Sequence, residues 1–132
     1  MNADAPGTGI RQAEDLKSLG IGLLSSHTEV AQAAEALLRR RYDFAQVNDA
    51  QTLVALGGDG FMLQTLHQML EVGCMKPVFG INRGTVGFLM NDWRIDLLPQ
   101  RIAAAKAIRV APLQMCATTV GGEQFTYAAI NE

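Results

Sequence analysis

The sequence predicts an α/β fold built on a parallel sheet, followed by a hairpin that opens an antiparallel region. Three observations predict it. Compact apolar runs alternate with amphipathic stretches between Ile21 and Ala107. One of those runs ends in a glycine-rich turn, Gly57-Gly58-Asp59-Gly60. Beyond residue 109 the pattern changes to two strand-like runs around Gly121-Gly122. With 132 residues, 48% of them hydrophobic, there is apolar material for a buried core.

Residues 1–18 read as a loose leader, polar and without the apolar centre of a signal peptide. Ile21-Gly22-Leu23-Leu24 is then a short buried strand. Ser26-His27-Thr28-Glu29 has the S-x-x-E spacing of a capping box, which predicts a helix from there to near Arg41. Val30, Ala33, Ala34, Leu37 and Leu38 follow its apolar stripe. The run Arg39-Arg40-Arg41 falls at the helix C-terminus, where the dipole favours cations and water solvates them.

A short extended piece is expected between Asp43 and Ala50, and Thr52 to Leu56 is a buried strand ending at two glycines. From Gly60 the period becomes helical, with Met62, Leu63, Leu66, Met69 and Leu70 on one face and Gly73 as the stop. Pro77 to Ile81 is a third core strand. Ile95 to Ala107 is a further helix, with Leu97, Leu98, Ile102 and Ala105 roughly on one side and Pro99 requiring a break or a first-turn position. Ala111 to Val120 and Gln124 to Ile130 form the hairpin. The expected division is therefore a leader over 1–18, an α/β domain over 19–108 and a first β-hairpin over 109–132. A two-strand ribbon is only marginally stable alone, so a truncated second domain is expected.

A net charge of -2 gives no polyanion-coating surface, which argues against nucleic acid and for small ligands. Cys74 and Cys116 lack the CxxC spacing and nearby histidine of a zinc site, and they form no disulfide framework, so a reducing, cytoplasmic setting is expected. No run reaches the roughly 18 apolar residues of a membrane span.

A strand running into a glycine turn and then a helix presents unpaired backbone N–H groups and the positive end of the helix dipole, which together favour a phosphate. Gly57, Gly58 and Gly60 lack the Cβ atoms that would hinder backbone approach. Asp59 admits two readings. A carboxylate beside a phosphate can hold a metal ion or take a proton from an attacking hydroxyl, and Asp is also among the best helix N-caps. The turn is not a dinucleotide G-x-G-x-x-G, because Leu63 stands at the third glycine, and no G-K-[ST] of a P-loop follows.

Leu53 to Gly60 resembles the GGDG signature shared by NAD kinases, 6-phosphofructokinases and diacylglycerol-type lipid kinases, all of which phosphorylate a hydroxyl. Gly80-Ile81-Asn82-Arg83-Gly84-Thr85-Val86-Gly87-Phe88-Leu89 is similar to the G-x-N-x-G-x-x-G-F-L element of NAD kinases, and Asn131-Glu132 after an apolar strand resembles that family's N-E pair. The likeness runs from about Ile21 to Glu132. It implies the NAD kinase/phosphofructokinase-like fold and transfer of the γ-phosphoryl of ATP to the 2′-hydroxyl of the adenosine ribose of NAD, with Asp59 as the catalytic base. Gly57, Gly58 and Gly60 would cradle phosphates, Phe88 would wall the adenine, and Asn82, Asn131 and Glu132 would complete the nucleotide contacts. Mg²⁺ or another divalent cation would arrive with ATP, and no protein metal-ligand set is read. ATP, NAD and a second copy of the chain are the expected partners, without nucleic acid or membrane. A GGDG-type lipid or sugar kinase and a non-catalytic nucleotide-binding fragment are the alternatives. Little activity is expected of these 132 residues alone.

Overall fold

The computed structural model describes residues 14–84, 87–109 and 113–129. In chain order the elements are β1 (Glu14–Asp15), β2 (Ile21–Ser25), α1 (Glu29–Arg41), β3 (Tyr42–Asp43), a 3-10 turn (Val47–Asp49), β4 (Thr52–Gly57), α2 (Asp59–Val72), β5 (Val78–Asn82), α3 (Leu98–Ala104), β6 (Leu113–Thr118) and β7 (Gln124–Ala129).

Leu53 to Gly57 is buried without interruption, as a strand covered on both faces must be, and β4 is the middle of a parallel sheet ordered β2-β4-β5. The register pairs Ile21 with Thr52 and Ser25 with Leu56 on one side, and Leu53 with Val78 and Gly57 with Asn82 on the other. The C-terminal ends of the three strands therefore finish level with the turn that leads into α2. Single-residue parallel bridges lengthen the sheet at both margins, Ala45 beside Gly22 and Asn91 beside Ile81. At the β5 margin Asn82 N–H donates to Asn91 C=O and Asn91 N–H to Gly80 C=O, each at 2.8 Å.

Four expectations need correction. Residues 14–18 are not loose: β1 pairs in parallel with β3, and Leu16 is fully buried in the main core with Tyr42, Leu38 and Leu98. The core makes the difference, because a single leucine carries no periodicity to announce its burial. The cap of α1 is Thr28 rather than Ser26; its Oγ1 accepts the Ala31 N–H at 3.3 Å, and Ser26 Oγ lies 3.1 Å from Thr28 Oγ1. Packing against the core turns the inner face of α1 to Ala31, Ala34 and Leu38, leaving Val30 and Leu37 48% and 42% exposed. Finally, α3 is shorter than expected. It begins at Leu98 with Pro99 in its first turn, preceded by Leu97 at φ 61°, and it ends before Ala105.

The strand-turn-helix unit at the centre lies where expected, although of the apolar face expected for α2 only Met62 is fully buried, with Leu63, Leu66, Met69 and Leu70 half-buried. α2 presses Met62 and Thr65 inward with Met69 half-buried below them, and it stops at Gly73, whose φ of 79° only glycine adopts freely. β6 and β7 form an antiparallel hairpin in the register Leu113 with Ala129 and Thr118 with Gln124, and Gly122 takes a φ of 90° in its loop. The described residues show this hairpin as a two-stranded sheet of its own. Among those residues, no helix is long and apolar enough to cross a membrane.

The segment from Met90 to Leu98 is strapped across the core. Buried Tyr42 donates its hydroxyl hydrogen to Ile95 C=O and accepts the Leu98 N–H at 3.3 Å. Arg41 pairs with Asp96 at 2.7 Å, and Arg101 donates to the carbonyls of Asp92 and Arg94. Arg41 is thus part of the strap as well as a solvated helix end.

Candidate functional site

β4 delivers the chain to Gly57, and the direction of α2 is set within two residues. Gly58 is the N-cap residue, extended at φ -116° and ψ -172°, and makes no side-chain cap. Asp59 is the first residue of α2, where a carboxylate suits the positive end of the helix. It is therefore not the N-cap. Its two oxygens instead reach across to the second glycine motif: Oδ2 accepts the Phe88 N–H at 2.8 Å and Oδ1 the Leu89 N–H at 2.9 Å. One carboxylate thus joins two motifs about thirty residues apart in sequence.

The glycines of the turn divide by what surrounds them. A Cβ on Gly58 or Gly60 would meet nothing within 4 Å, so open space lies over both, as a phosphate cradle requires. Gly57 differs: a Cβ there would press on Phe61, 3.0 Å from its Cβ, and its carbonyl accepts the Arg83 N–H at 2.8 Å. Gly57 is thus needed for packing against its own helix. Gly84 approaches Gly58 closely, a Cβ on it lying 3.9 Å from the Gly58 nitrogen. The two motifs consequently line one rim at the C-terminal ends of β4 and β5, the usual ligand position of an open parallel sheet.

Beside that rim is a cleft of about 670 Å³ between the loop after β2 and the first turns of α2. Ser25, His27 and Thr28 line one side, and Gly58, Gly60 and Gln64 the other. The loop is braced from α1: Ser25 Oγ donates to Glu35 at 2.6 Å, while Gln32 Nε2 donates to Ser25 Oγ and Ser26 C=O. The Ser25 hydroxyl, with Arg39 beside it, holds the Glu35 carboxyl below the usual glutamate range.

Asn82 stands at the end of β5 and uses its side-chain oxygen to accept the Gly84 N–H at 3.1 Å, which shapes the motif from within. Phe88 is fully exposed, its backbone held by Asp59 and its ring free to meet a ligand. Asn131, Glu132, Thr85 and Val86 lie outside the described residues. Asp59, Gly58, Gly60, Gly84 and the Phe88 loop are therefore brought together.

Sequence reading assigned no role to three residues that the structure places at or beside the site. Arg83 lies within the second motif and lays its guanidinium 5.0 Å from the Trp93 ring centroid, giving that tryptophan a partner. Ser25 and Gln64 reach the cleft from elements the motifs do not include. The amides that hold Asp59 belong to the backbone and leave no signature in residue type. Among the described residues, no group of three or more His, Cys, Asp or Glu is placed to hold a metal ion. His67, two turns along α2, is engaged with Glu71 at 2.9 Å.

Comparison with known proteins adds an independent finding. Residues 13–104 match the model of the ATP-NAD kinase N-terminal domain. The chain is 52% identical over 112 residues to an NAD kinase of Rhizorhabdus wittichii, covering 85% of this chain and 44% of that protein. It is 51% identical over 110 residues to one of Zymomonas mobilis, covering 83% and 43%. An NAD kinase of Brucella suis is 44% identical over 115 residues, with coverage of 87% and 44%. The chain thus spans less than half the length of these relatives.

Proposed function

The chain belongs to the NAD kinase family, and from that premise we propose that the full-length protein transfers the γ-phosphoryl group of ATP to the 2′-hydroxyl of the adenosine ribose of NAD, giving NADP. The observation that carries this reading is the Asp59 carboxylate held between the glycine turn and the Phe88 loop. A group fixed there stands between a phosphate cradle and an exposed aromatic, which is where the base for a nucleotide hydroxyl belongs.

In this reading the 2′-oxygen forms a bond to the γ-phosphorus, the bond from that phosphorus to the β–γ bridging oxygen breaks, and the hydroxyl proton passes to Asp59. Each Asp59 oxygen accepts one amide hydrogen bond and keeps a further lone pair for that proton. A carboxylate is a weak base, but phosphoryl transfer through a loose transition state depends more on positioning and charge neutralisation than on basicity. The open space over Gly58 and Gly60, continuous with the cleft, receives donor phosphates on backbone N–H groups. Phe88 packs on the adenine, while Asn82 supports the loop that carries it.

Mg²⁺ or a similar cation would arrive with ATP and be held mainly by its phosphate oxygens; each Asp59 oxygen accepts only one amide hydrogen bond, so the carboxylate could share in holding it. It would neutralise charge developing on those oxygens. The hairpin of β6 and β7 opens a second domain in this reading, and Asn131 and Glu132 just beyond it contact the NAD ribose. The working compartment is the cytoplasm, and the working form a homo-oligomer.

The test is NADP formation by purified full-length protein supplied with ATP and NAD. Asp59→Asn should lower kcat by about 10²- to 10⁴-fold, with NAD still bound but at reduced affinity. Turnover near that of the unaltered protein in this variant would remove Asp59 from the base role.

A further inference from the structure

Gly87 stands immediately before the two amides that grip Asp59, and it is the tightest point of the site. A Cβ built there would overlap the Asp59 carboxyl carbon and both of its oxygens. What a side chain at position 87 would strike is the Asp59 carboxylate.

We propose that Gly87 and Asp59 form a single positioning device: the carboxylate lies flat against the Gly87 Cα, and the next two N–H groups close on it, fixing the Phe88 loop at one distance from the base. Gly87 is then a positioning residue that acts through Asp59. Asp59 has a structural task besides its chemical one. Successive backbone N–H groups cradling an anion are a recurring local arrangement, and here the anion is a side chain of the protein itself. Substitution at position 59 therefore affects nucleotide binding as well as catalysis. The kinase reading enters only in saying what the loop holds.

The device is tested in the full-length protein with Gly87→Ala, Asp59→Ala and the double variant, by amide exchange at Phe88 and Leu89. Two charge-assisted hydrogen bonds predict exchange about tenfold faster or more in either single variant. The double variant should match the faster single to within about threefold, because the methyl group added at position 87 has nothing to strike once the carboxylate is gone. Protection in α1 and β4 serves as the control for folding and should not change. Asp59→Asn, keeping one acceptor oxygen, should fall between the unaltered protein and Asp59→Ala. With Asp59 intact, Gly87→Ala should also raise the NAD KM about tenfold, a loss that a displaced loop produces and a distant packing defect does not. Unchanged exchange in either single variant, or effects that multiply in the double variant, would overturn the proposal. The expected exchange pattern in a protein that forms no NADP would uphold the device and remove the kinase reading instead.

Discussion

Replacing Tyr42 by phenylalanine removes one oxygen atom from the interior. That hydroxyl serves two partners, donating to Ile95 C=O and accepting the Leu98 N–H at 3.3 Å, and Tyr42 is only 1% exposed. Leu98 is fully buried, so its amide cannot turn to water when the hydroxyl is lost. An orphaned buried donor costs about 1–3 kcal/mol, and the carbonyl of half-buried Ile95 adds a smaller amount. The ring remains to fill its space, so no cavity contribution is expected. A net loss of about 2 kcal/mol follows, which for a denaturant slope near 2 kcal/mol per molar moves the urea midpoint down by roughly 1 M. Equilibrium urea unfolding of the full-length protein, followed by far-ultraviolet circular dichroism, measures it directly. The strap also carries Asn91, which is bonded to Gly80 and Asn82, so nucleotide affinity should weaken together with stability. A midpoint moved by less than about 0.3 M would refute the accounting, since it would mean that both partners reach water or find other bonds.

Two further predictions follow from the same contacts. Gly58→Ala places a methyl group where nothing lies within 4 Å, in an extended backbone that alanine tolerates, so stability should change by less than about 0.5 kcal/mol while ATP affinity falls; thermal unfolding and ATP titration together test whether the space is a phosphate cradle. Glu35 has its carboxyl held low by the Ser25 hydroxyl and Arg39, so it contributes stability above the ordinary glutamate range near 4.5 and loses that contribution as pH falls through its lowered value. The stability gap between the unaltered protein and Glu35→Gln should therefore be widest at neutral pH and shrink in acid. A gap independent of pH in denaturant melts would rule out the ionic contribution.

The elements legible in sequence were those whose cause is local. An uncharged apolar run ending in glycines can be little but a buried strand meeting a turn, and β4 and α2 lie where that predicts. Gly73 stops a helix because its own φ permits it. What escaped was decided by distant partners. The inner face of α1 holds Ala31 rather than Val30 because the sheet and the Thr28 cap fix its rotation, and Val30 is the more hydrophobic of the two. Leu16 is buried because Tyr42 and Leu38 wait for it across the chain. At the site, residue type and spacing located Asp59 and the Phe88 loop separately. Their union rests on two backbone amides, which look the same in every sequence. Gly57 shows the converse, a motif glycine expected to face a ligand whose missing Cβ makes room for Phe61.

Asn91 also has a bearing on how the protein stays dispersed. Open parallel sheets end in strands whose outward N–H and C=O groups can recruit a foreign strand, a common beginning of aggregation. On the β5 margin the Gly80 carbonyl is taken twice, by the main chain and the side-chain amide of Asn91, and the Asn82 N–H once. On the β2 margin Ala45 takes the Ile21 carbonyl in the same way. One residue on each side covers part of an edge that would otherwise template misassembly, mid-strand on β5 and at the start of β2. A substitution that frees either edge should thus reveal itself as insolubility before it is seen as lost activity.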